Sequence, residues 1–465
     1  MIRFLGQYHS IRKLVFILGE GILIFSVVIL ASASILPNPS GLSDLLKDAW
    51  SKVLLVVLTT QIILYFNDLY EEYFKFDIVE LGIRLVQSIG ITSIALSLIY
   101  FFWPSAVIGK WIFLWSIVFL LLFLVLWRIL YAFIIQKRLF TEKTIILGDG
   151  ELAKDIYEEI GRKKESGYDI KCIVALEQKQ TSQARFKDTH VTWGFENLFE
   201  LAKSSHVSNI IVALDQRRGI MPYRELLSCK MGGMSIIDGE SFYERTAGKI
   251  LIEKINPSWL IFSDGFVKSP LSRLIKRFVG FVLSAIMLIV LSPLLLVIAV
   301  AICFDSAGGV VFSQERVGEN GKVFTLFKFR SMKADAEKYS GPVWAAENDP
   351  RITKVGRIIR KLRLDELPQL WNVLRGDMSF VGPRPERSFF VEKLRKSIPY
   401  YDERFCVKPG VTGWAQVKYP YGATEQDTLE KLKFDLYYIK NMSLVLDLVV
   451  IFHTVKIVLL GRGSR

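Results

Sequence analysis

Five apolar stretches decide what this chain can fold into. Four open the sequence, near residues 14–36, 53–66, 85–103 and 111–135, and the fifth runs from Phe278 to Ile302. A helix needs about 20 apolar residues to cross a bilayer core. Most of the first four reach that length, and the second is the shortest. A hydrophobic content of 51% and a mean hydropathy of +0.33 agree with a membrane protein. The first stretch has no small-residue cleavage site and carries Gly19, Glu20 and Gly21, so it is expected to stay as an anchor. Loop cations set the orientation. If all four segments cross, Arg3, Arg12, Lys13, Lys75, Arg84, Lys137, Arg138 and Lys143 fall on one side and only Lys47, Lys52 and Lys110 on the other. Both ends of a four-helix bundle over residues 1–140 are therefore expected on the cytoplasmic side.

The formal charge of +13 has two readings. Attraction to anionic lipid headgroups is one. Nucleic-acid binding is the other, and no helix-turn-helix, zinc or RNA-binding signature supports it. Cys172, Cys229, Cys303 and Cys406 are far apart and form no CxxC, as reduced thiols facing a cytosolic environment do. His9, His190, His206 and His453 do not cluster. A metal, if used, is then a hard ion on oxygen ligands.

Residues 143–255 change character. Short apolar runs at Thr144–Leu147, Cys172–Leu176, Ile210–Leu214 and Ser235–Ile237 alternate with polar helical stretches, the pattern of a parallel α/β sheet. The first run leads into a GxGxxA turn made by Gly148, Gly150 and Ala153. Such a turn seats a pyrophosphate on a helix N-terminus, with Glu177 placed to meet a ribose. It equally serves close strand–helix packing. A Rossmann-like module is expected, with its nucleotide occupancy open.

Residues 256–277 form a linker to Phe278–Ile302. Cations flank this fifth stretch on both sides: Arg273, Lys276 and Arg277 before it, then Arg316, Lys322, Lys328 and Arg330 after it. Ser292-Pro293 falls near its middle, where proline removes a helix hydrogen bond and bends the chain. A re-entrant helix that enters and leaves by one face satisfies both observations. An ordinary proline-kinked span is the alternative.

The densest chemistry lies in Arg363-Leu364-Asp365-Glu366-Leu367-Pro368. Upstream, Arg351, Lys354, Arg357, Arg360, Lys361 and Arg363 recur at helical spacing, which predicts an amphipathic helix with a positive face. Pro368 suits the first turn of a following helix, and Asp365 and Glu366 would then lie near its positive N-terminus. A carboxylate among cations stays ionised, and can act as a nucleophile or bind a divalent metal. An acidic pair that merely caps a surface helix is the other reading.

Further blocks surround that pair. Phe312-Ser313-Gln314-Glu315-Arg316-Val317-Gly318 and Phe327-Lys328-Phe329-Arg330-Ser331-Met332 precede it. Gly382-Pro383-Arg384-Pro385 and Lys408-Pro409-Gly410-Val411-Thr412-Gly413-Trp414-Ala415-Gln416-Val417 follow it. In this order the blocks resemble the bacterial polyprenyl-phosphate glycosyl-1-phosphate transferases, the monotopic phosphoglycosyl transferases, over about residues 271–460. The layout of the first 255 residues resembles the long form of that family.

The resemblance implies a membrane helical bundle, a Rossmann-like α/β module and a mainly helical monotopic catalytic domain (278–465) with a re-entrant helix at 278–302. It implies a multi-pass protein of the bacterial inner membrane, acting as a homodimer. The expected reaction moves a sugar-1-phosphate from a UDP-sugar to polyprenyl (undecaprenyl) phosphate and releases UMP, in exopolysaccharide, capsule or O-antigen synthesis. Asp365 matches the family nucleophile and Glu366 the acidic partner that holds Mg²⁺. Lys328, Arg330 and Arg384 match phosphate-binding positions, Asp435 a further acidic position, and Ser292-Pro293 the bend of the re-entrant helix. Gly280 departs from the family by standing where an acidic residue is usual, and Ala307-Gly308-Gly309-Val310 replaces a Pro-Gly-Pro turn. Glucose or galactose is the sugar the family analogy favours.

Two other functions compete. A membrane-anchored nucleotide-sugar dehydratase or epimerase also joins four spans to a Rossmann unit, but none of the 17 tyrosines has a lysine four residues later. A nucleotide-sensing regulatory membrane protein would account for residues 1–255 and leave Asp365 and Glu366 without a role.

Overall fold

The computed structural model describes residues 2–4, 7–9, 11–35, 50–70, 78–108, 110–163, 166–176, 185–186, 189–217, 219–254, 265–333, 349–420, 422 and 424–460. Lys47, Lys75, Glu177 and the linker residues 256–264 lie outside the described residues.

After a short hairpin (β1, Ile2–Phe4; β2, Gln7–His9) come four apolar helices: α1 (Ile11–Ile35), α2 (Trp50–Phe66), α3 (Ile78–Phe102) and α4 (Lys110–Gln136). α1, α3 and α4 are long and apolar enough to cross a membrane. α2 has 17 residues, about 25 Å at 1.5 Å per residue, which falls short of a roughly 30 Å hydrocarbon core. Inside the bundle Glu20 of α1 meets Arg128 of α4 at 2.6 Å, both fully buried. Arg128 also donates to the carbonyl of Leu69 at 2.5 Å, and the Tyr70 hydroxyl donates to Glu20. Each charged group has an oppositely charged partner and a further hydrogen bond, which is the condition for keeping an ion pair in apolar surroundings.

The α/β module has five strands rather than four: β3 (Glu142–Leu147), β4 (Tyr168–Ala175), β5 (His190–Trp193), β6 (Asn209–Val212) and β7 (Ser235–Asp238). They run in the order β5-β4-β3-β6-β7, with β4–β5 and β6–β7 parallel. The added strand is a four-residue edge with one buried side chain, so no apolar run announces it. β3, β4 and β6 are buried hydrophobic runs, as expected of strands covered on both faces. Helices α5 (Glu151–Arg162), α6 (Leu198–Ser204), α7 (Tyr223–Met231) and α8 (Gly239–Ala247) complete the module.

Beyond it, the fifth apolar stretch is a broken helix pair, α9 (Pro270–Val290) and α10 (Ser292–Asp305), bent by 63°. The pair is longer than the apolar run because Ser269 caps it nine residues upstream of Phe278, its side chain accepting from Ser272 N at 3.2 Å. Pro293 sits in the first turn of α10, where it needs no N–H partner, and Ser292 Oγ donates to Ile289 O at 2.7 Å. Both ends of the pair are fastened to the C-terminal domain. Lys276 reaches Asp447 at 2.6 Å, and Arg277 caps the helix α12 (Gln369–Arg375) through the carbonyls of Val373 and Leu374. At the far end Ile298 and Ile302 are buried with Phe329 and Ile359. Asp305 there accepts from Val355 N at 2.9 Å. Gly280 is buried, and a Cβ there would stand 3.8 Å from Val373 and Phe380, ordinary van der Waals contact.

The rest of the domain comprises a hairpin, β8 (Val311–Val317) with β9 (Val323–Phe329), then α11 (Lys354–Lys361), α12, β10 (Ser379–Val381) and α13 (Ser388–Ser397). It continues with β11 (Gly410–Thr412), α14 (Trp414–Lys418), α15 (Glu425–Asn441) and α16 (Leu444–Leu459). α15 is its central rod, with Leu436, Tyr437 and Tyr438 buried against Trp414, Leu446 and Val450. The chain leaving α8 docks on this rod through buried Ile250 and Ile252. Glu244 of α8 accepts from Lys440 at 2.7 Å and Asn441 at 3.0 Å. The α/β module is thus bonded to the same helix that carries Asp435.

Candidate active site

Asp365 and Glu366 lie in a single 3-10 turn, Leu364–Glu366, between α11 and α12. The basic helix is shorter than its charge pattern predicts. Thr353 caps it, with the side chain accepting from Gly356 N at 3.0 Å. Arg351, ahead of the cap, pairs instead with Asp349 at 2.5 Å. Arg363 closes the helix in the left-handed region at φ 54°, a conformation costing a non-glycine residue about 1 kcal/mol or more. Pro368 occupies the N-cap of α12.

Glu366 is the held member of the pair. Arg384 grips it with Nη2 at 2.6 Å from Oε1 and Nη1 at 3.4 Å from Oε2, and Lys328 Nζ stands 3.3 Å from Oε1. Burial alone would raise this carboxyl, but Arg384 and Lys328 outweigh it and hold Glu366 well below the usual carboxylate range. Asp365 makes no hydrogen bond among the described residues. Burial and the charge on Glu366 push its carboxyl up, against the pull of Lys328, Arg360 and Arg384. The hydrogen-bonding cations thus engage Glu366, and act on Asp365 only through their charge. Arg360 and Arg363, read in sequence only as part of a helix face, both lie within the field of the pair.

Each gripping cation has its own support. Lys328 is on β9, pinned to α12 by the fully buried Asn372, whose Oδ1 accepts from Phe327 N at 3.1 Å and whose Nδ2 donates to Thr325 O at 2.7 Å. Arg384 leaves a turn tied to the Lys408–Trp414 block. β10 and β11 pair in parallel, Gly382 N donates to Thr412 O and Gly410 N to Pro383 O, each at 2.9 Å. A Cβ on Gly382 would stand 2.9 Å from Gly410 N, so both glycines are required by backbone contact. Asn372 was invisible in the sequence, since a lone asparagine in an apolar helix has no distinguishing pattern.

Two predicted site residues stand apart from the carboxylate pair. Asp435 accepts from Arg404 Nη2 at 3.0 Å, and burial pushes its carboxyl up to about 6 despite that guanidinium. Arg404 also donates to the backbone carbonyl of Arg384 at 2.9 Å and to the Tyr401 hydroxyl at 2.7 Å. Asp435 is therefore linked to the backbone of Arg384 through Arg404, a residue that no sequence motif singled out. Arg330 is buried at the C-terminal end of α10, donating to Ser306 O at 2.6 Å. It fastens the end of α10 and does not join Lys328 and Arg384.

Among the described residues no group of three His, Cys, Asp or Glu forms a metal cluster. Two adjacent carboxylates without histidine still fit Mg²⁺, which binds through one or two carboxylates while keeping waters and sharing phosphate oxygens. Glu366 would have to exchange Arg384 or Lys328 for such an ion.

A family model described as bacterial sugar transferase matches residues 271–461, and one described as a CoA-binding domain matches residues 65–220. The chain is 41% identical over 242 residues to the UDP-N-acetylgalactosamine-undecaprenyl-phosphate N-acetylgalactosaminephosphotransferase of Aeromonas hydrophila, covering 52% of this chain and 56% of that one. It is 46% identical over 191 residues to the UDP-glucose:undecaprenyl-phosphate glucose-1-phosphate transferase of Escherichia coli (strain K12), 40% of each. With the undecaprenyl-phosphate galactose phosphotransferase of Salmonella typhimurium the identity is 31% over 374 residues, 76% of this chain and 75% of the relative. The chain thus spans about half the length of the first two and three quarters of the third. It belongs to the bacterial sugar transferase family.

Proposed function

We propose that this protein transfers a sugar-1-phosphate from a UDP-sugar to undecaprenyl phosphate or a related polyprenyl phosphate at the cytoplasmic face of a bacterial inner membrane. The observation that carries the reading is the division of labour between adjacent carboxylates, with Glu366 gripped by Arg384 and Lys328 and Asp365 left without a hydrogen bond. A nucleophile must be free to move onto phosphorus, and a carboxylate whose pKa is raised is the more nucleophilic of the two.

One Asp365 Oδ attacks the sugar-side phosphorus, the bond from that phosphorus to the bridging oxygen breaks, and UMP leaves with the electron pair. An oxygen of the lipid phosphate then attacks the same phosphorus and the Asp365 carboxylate departs, giving polyprenyl-diphosphate sugar. Lys328 and Arg384 are placed to hold diphosphate oxygens, which makes positioning and charge neutralisation the main contributions. A magnesium ion on Glu366, with Asp365 beside it, would supply further neutralisation of diphosphate charge. Both ends of the α9–α10 pair are bonded to the catalytic domain, which supports a re-entrant helix delivering the lipid phosphate to one side of the membrane.

Incubation with radiolabelled UDP-sugar and no lipid acceptor should leave label on the protein, and Asp365→Asn should abolish it. Undiminished turnover in Asp365→Asn would refute the assignment. The sugar is a hexose or an acetamidohexose, the range that the relatives' names span. A panel of UDP-sugars scored by UMP release selects among them.

A further inference from the structure

The α/β module has the architecture of a diphosphate site and a side chain of its own in the diphosphate's place. In the order β5-β4-β3-β6-β7 the chain passes from β3 to β4 on one side, then returns to place β6 on the other. The crevice beyond the carboxyl ends of β3 and β6 is therefore the switch point, where doubly wound sheets take their ligands. A cavity of about 220 Å³ lies there, lined by Gly148, Asp149, Gly150, Leu176, Asp215 and Gln216 among others. The GxGxxA turn opens α5 beneath it, and a diphosphate would normally accept from the first N–H groups of such a helix.

In this chain those groups already face an anion. Asp215, just past β6, places Oδ2 3.3 Å from Glu151 N and Oδ1 3.5 Å from Leu152 N. The fit is close enough that a Cβ on Gly150 would collide with the Asp215 carboxylate. Gly150 thus makes room for the chain's own carboxylate as it would for a phosphate. Asp149 adds a second acidic side chain to the lining.

We propose that Asp215 is an internal plug of the diphosphate seat, so that the α/β module does not take nucleoside diphosphates while this residue is present. An entering diphosphate would have to displace a carboxylate that the helix N-terminus favours, and would then face its charge at close range. The sequence motif is intact and its site is self-occupied. Whether the transferase reading stands or falls does not bear on this, because the crevice shares no residue with the carboxylate pair.

The test uses the full-length protein in detergent, with UMP at saturation so that the transferase site is silent, titrated calorimetrically with coenzyme A and with NAD⁺. The wild type should show no saturable binding. Asp215→Ser and Asp215→Asn, which remove the charge and differ in how much space they clear, should gain binding by about tenfold or more, equivalent to roughly one helix-terminus charge interaction. Inorganic pyrophosphate should compete with the gained binding. The thermal unfolding midpoint and circular-dichroism spectrum serve as the folding control, independent of any transferase activity. Pyrophosphate-competable binding of either probe by the wild type overturns the proposal, and so does the failure of both folded variants to gain any.

Discussion

Arg384 and Glu366 form a two-pronged contact, Nη2 to Oε1 at 2.6 Å and Nη1 to Oε2 at 3.4 Å, that leaves the adjacent Asp365 unbonded. Lysine cannot reproduce a planar fork. Arg384→Lys should therefore keep the net charge and still lower kcat/KM by about 100-fold, the scale of a charge-assisted contact worth about 2–3 kcal/mol. Activity within twofold of wild type would show that charge alone is needed.

Glu366 is the carboxylate expected to share a divalent ion with the diphosphate. Exhaustive chelation should abolish UMP release and Mg²⁺ should restore it. Glu366→Gln should remain inactive when Mg²⁺ is raised, because an amide is a weak ligand for a hard cation and also releases Arg384 and Lys328. Full turnover after chelation would remove the metal from the mechanism.

Asp435 gives the site a pH dependence of definite sign. Its carboxyl is raised from the ordinary 3.8 to about 6 by burial, with Arg404 opposing. A carboxyl raised by folding favours the folded state when protonated. Its contribution is complete below about pH 4 and is lost as pH rises through 6, on the order of 3 kcal/mol for a shift of this size. Thermal midpoints of Asp435→Asn should lack that slope between pH 4 and 6, where wild type shows it. Identical slopes in the two proteins would mean that Asp435 ionises normally. If the Arg404–Asp435 pair also steadies Arg384, kcat of wild type should fall on acidification through pH 6 while the variant stays low throughout.

Local signals carried much of this structure. The apolar runs marked α1 to α4, and Ser292-Pro293 marked the break between α9 and α10, because both depend on neighbours in sequence. The Asp365-Glu366 turn was legible for the same reason. What could not be read was which of two adjacent acids the cations would choose. That choice is made by Arg384, 18 residues away, and by Lys328 on strand β9. Asp215 defeats the Gly148–Ala153 motif from 63 and more residues downstream. Arg330 looked equivalent to Lys328 two positions earlier, yet its partners are the carbonyls that end α10. Motifs record local backbone form, and partners chosen across the fold decide what occupies it.

The broken helix pair makes the topology testable. A crossing helix would deliver Asp305 to the opposite side of the membrane from Pro270. Yet Lys276 and Arg277 at one end, and Ile302 and Asp305 at the other, contact a single domain. Between those anchors Ile286, Ile289, Val290, Leu296 and Val297 are exposed apolar side chains, suited to the bilayer interior. Single cysteines at Val267, 93% exposed, and at Lys322 in the β8–β9 turn should both react with a membrane-impermeant reagent only after cells are permeabilised. The background must lack the four native cysteines, since Cys303 and Cys406 are exposed and free. Pro293→Leu should straighten the break. The cation contacts at both ends resist inversion, so the expected result is lower activity with unchanged labelling. Labelling of the Lys322 site in intact cells would establish a full crossing, and the delivery of lipid phosphate from a re-entrant helix would have to be abandoned.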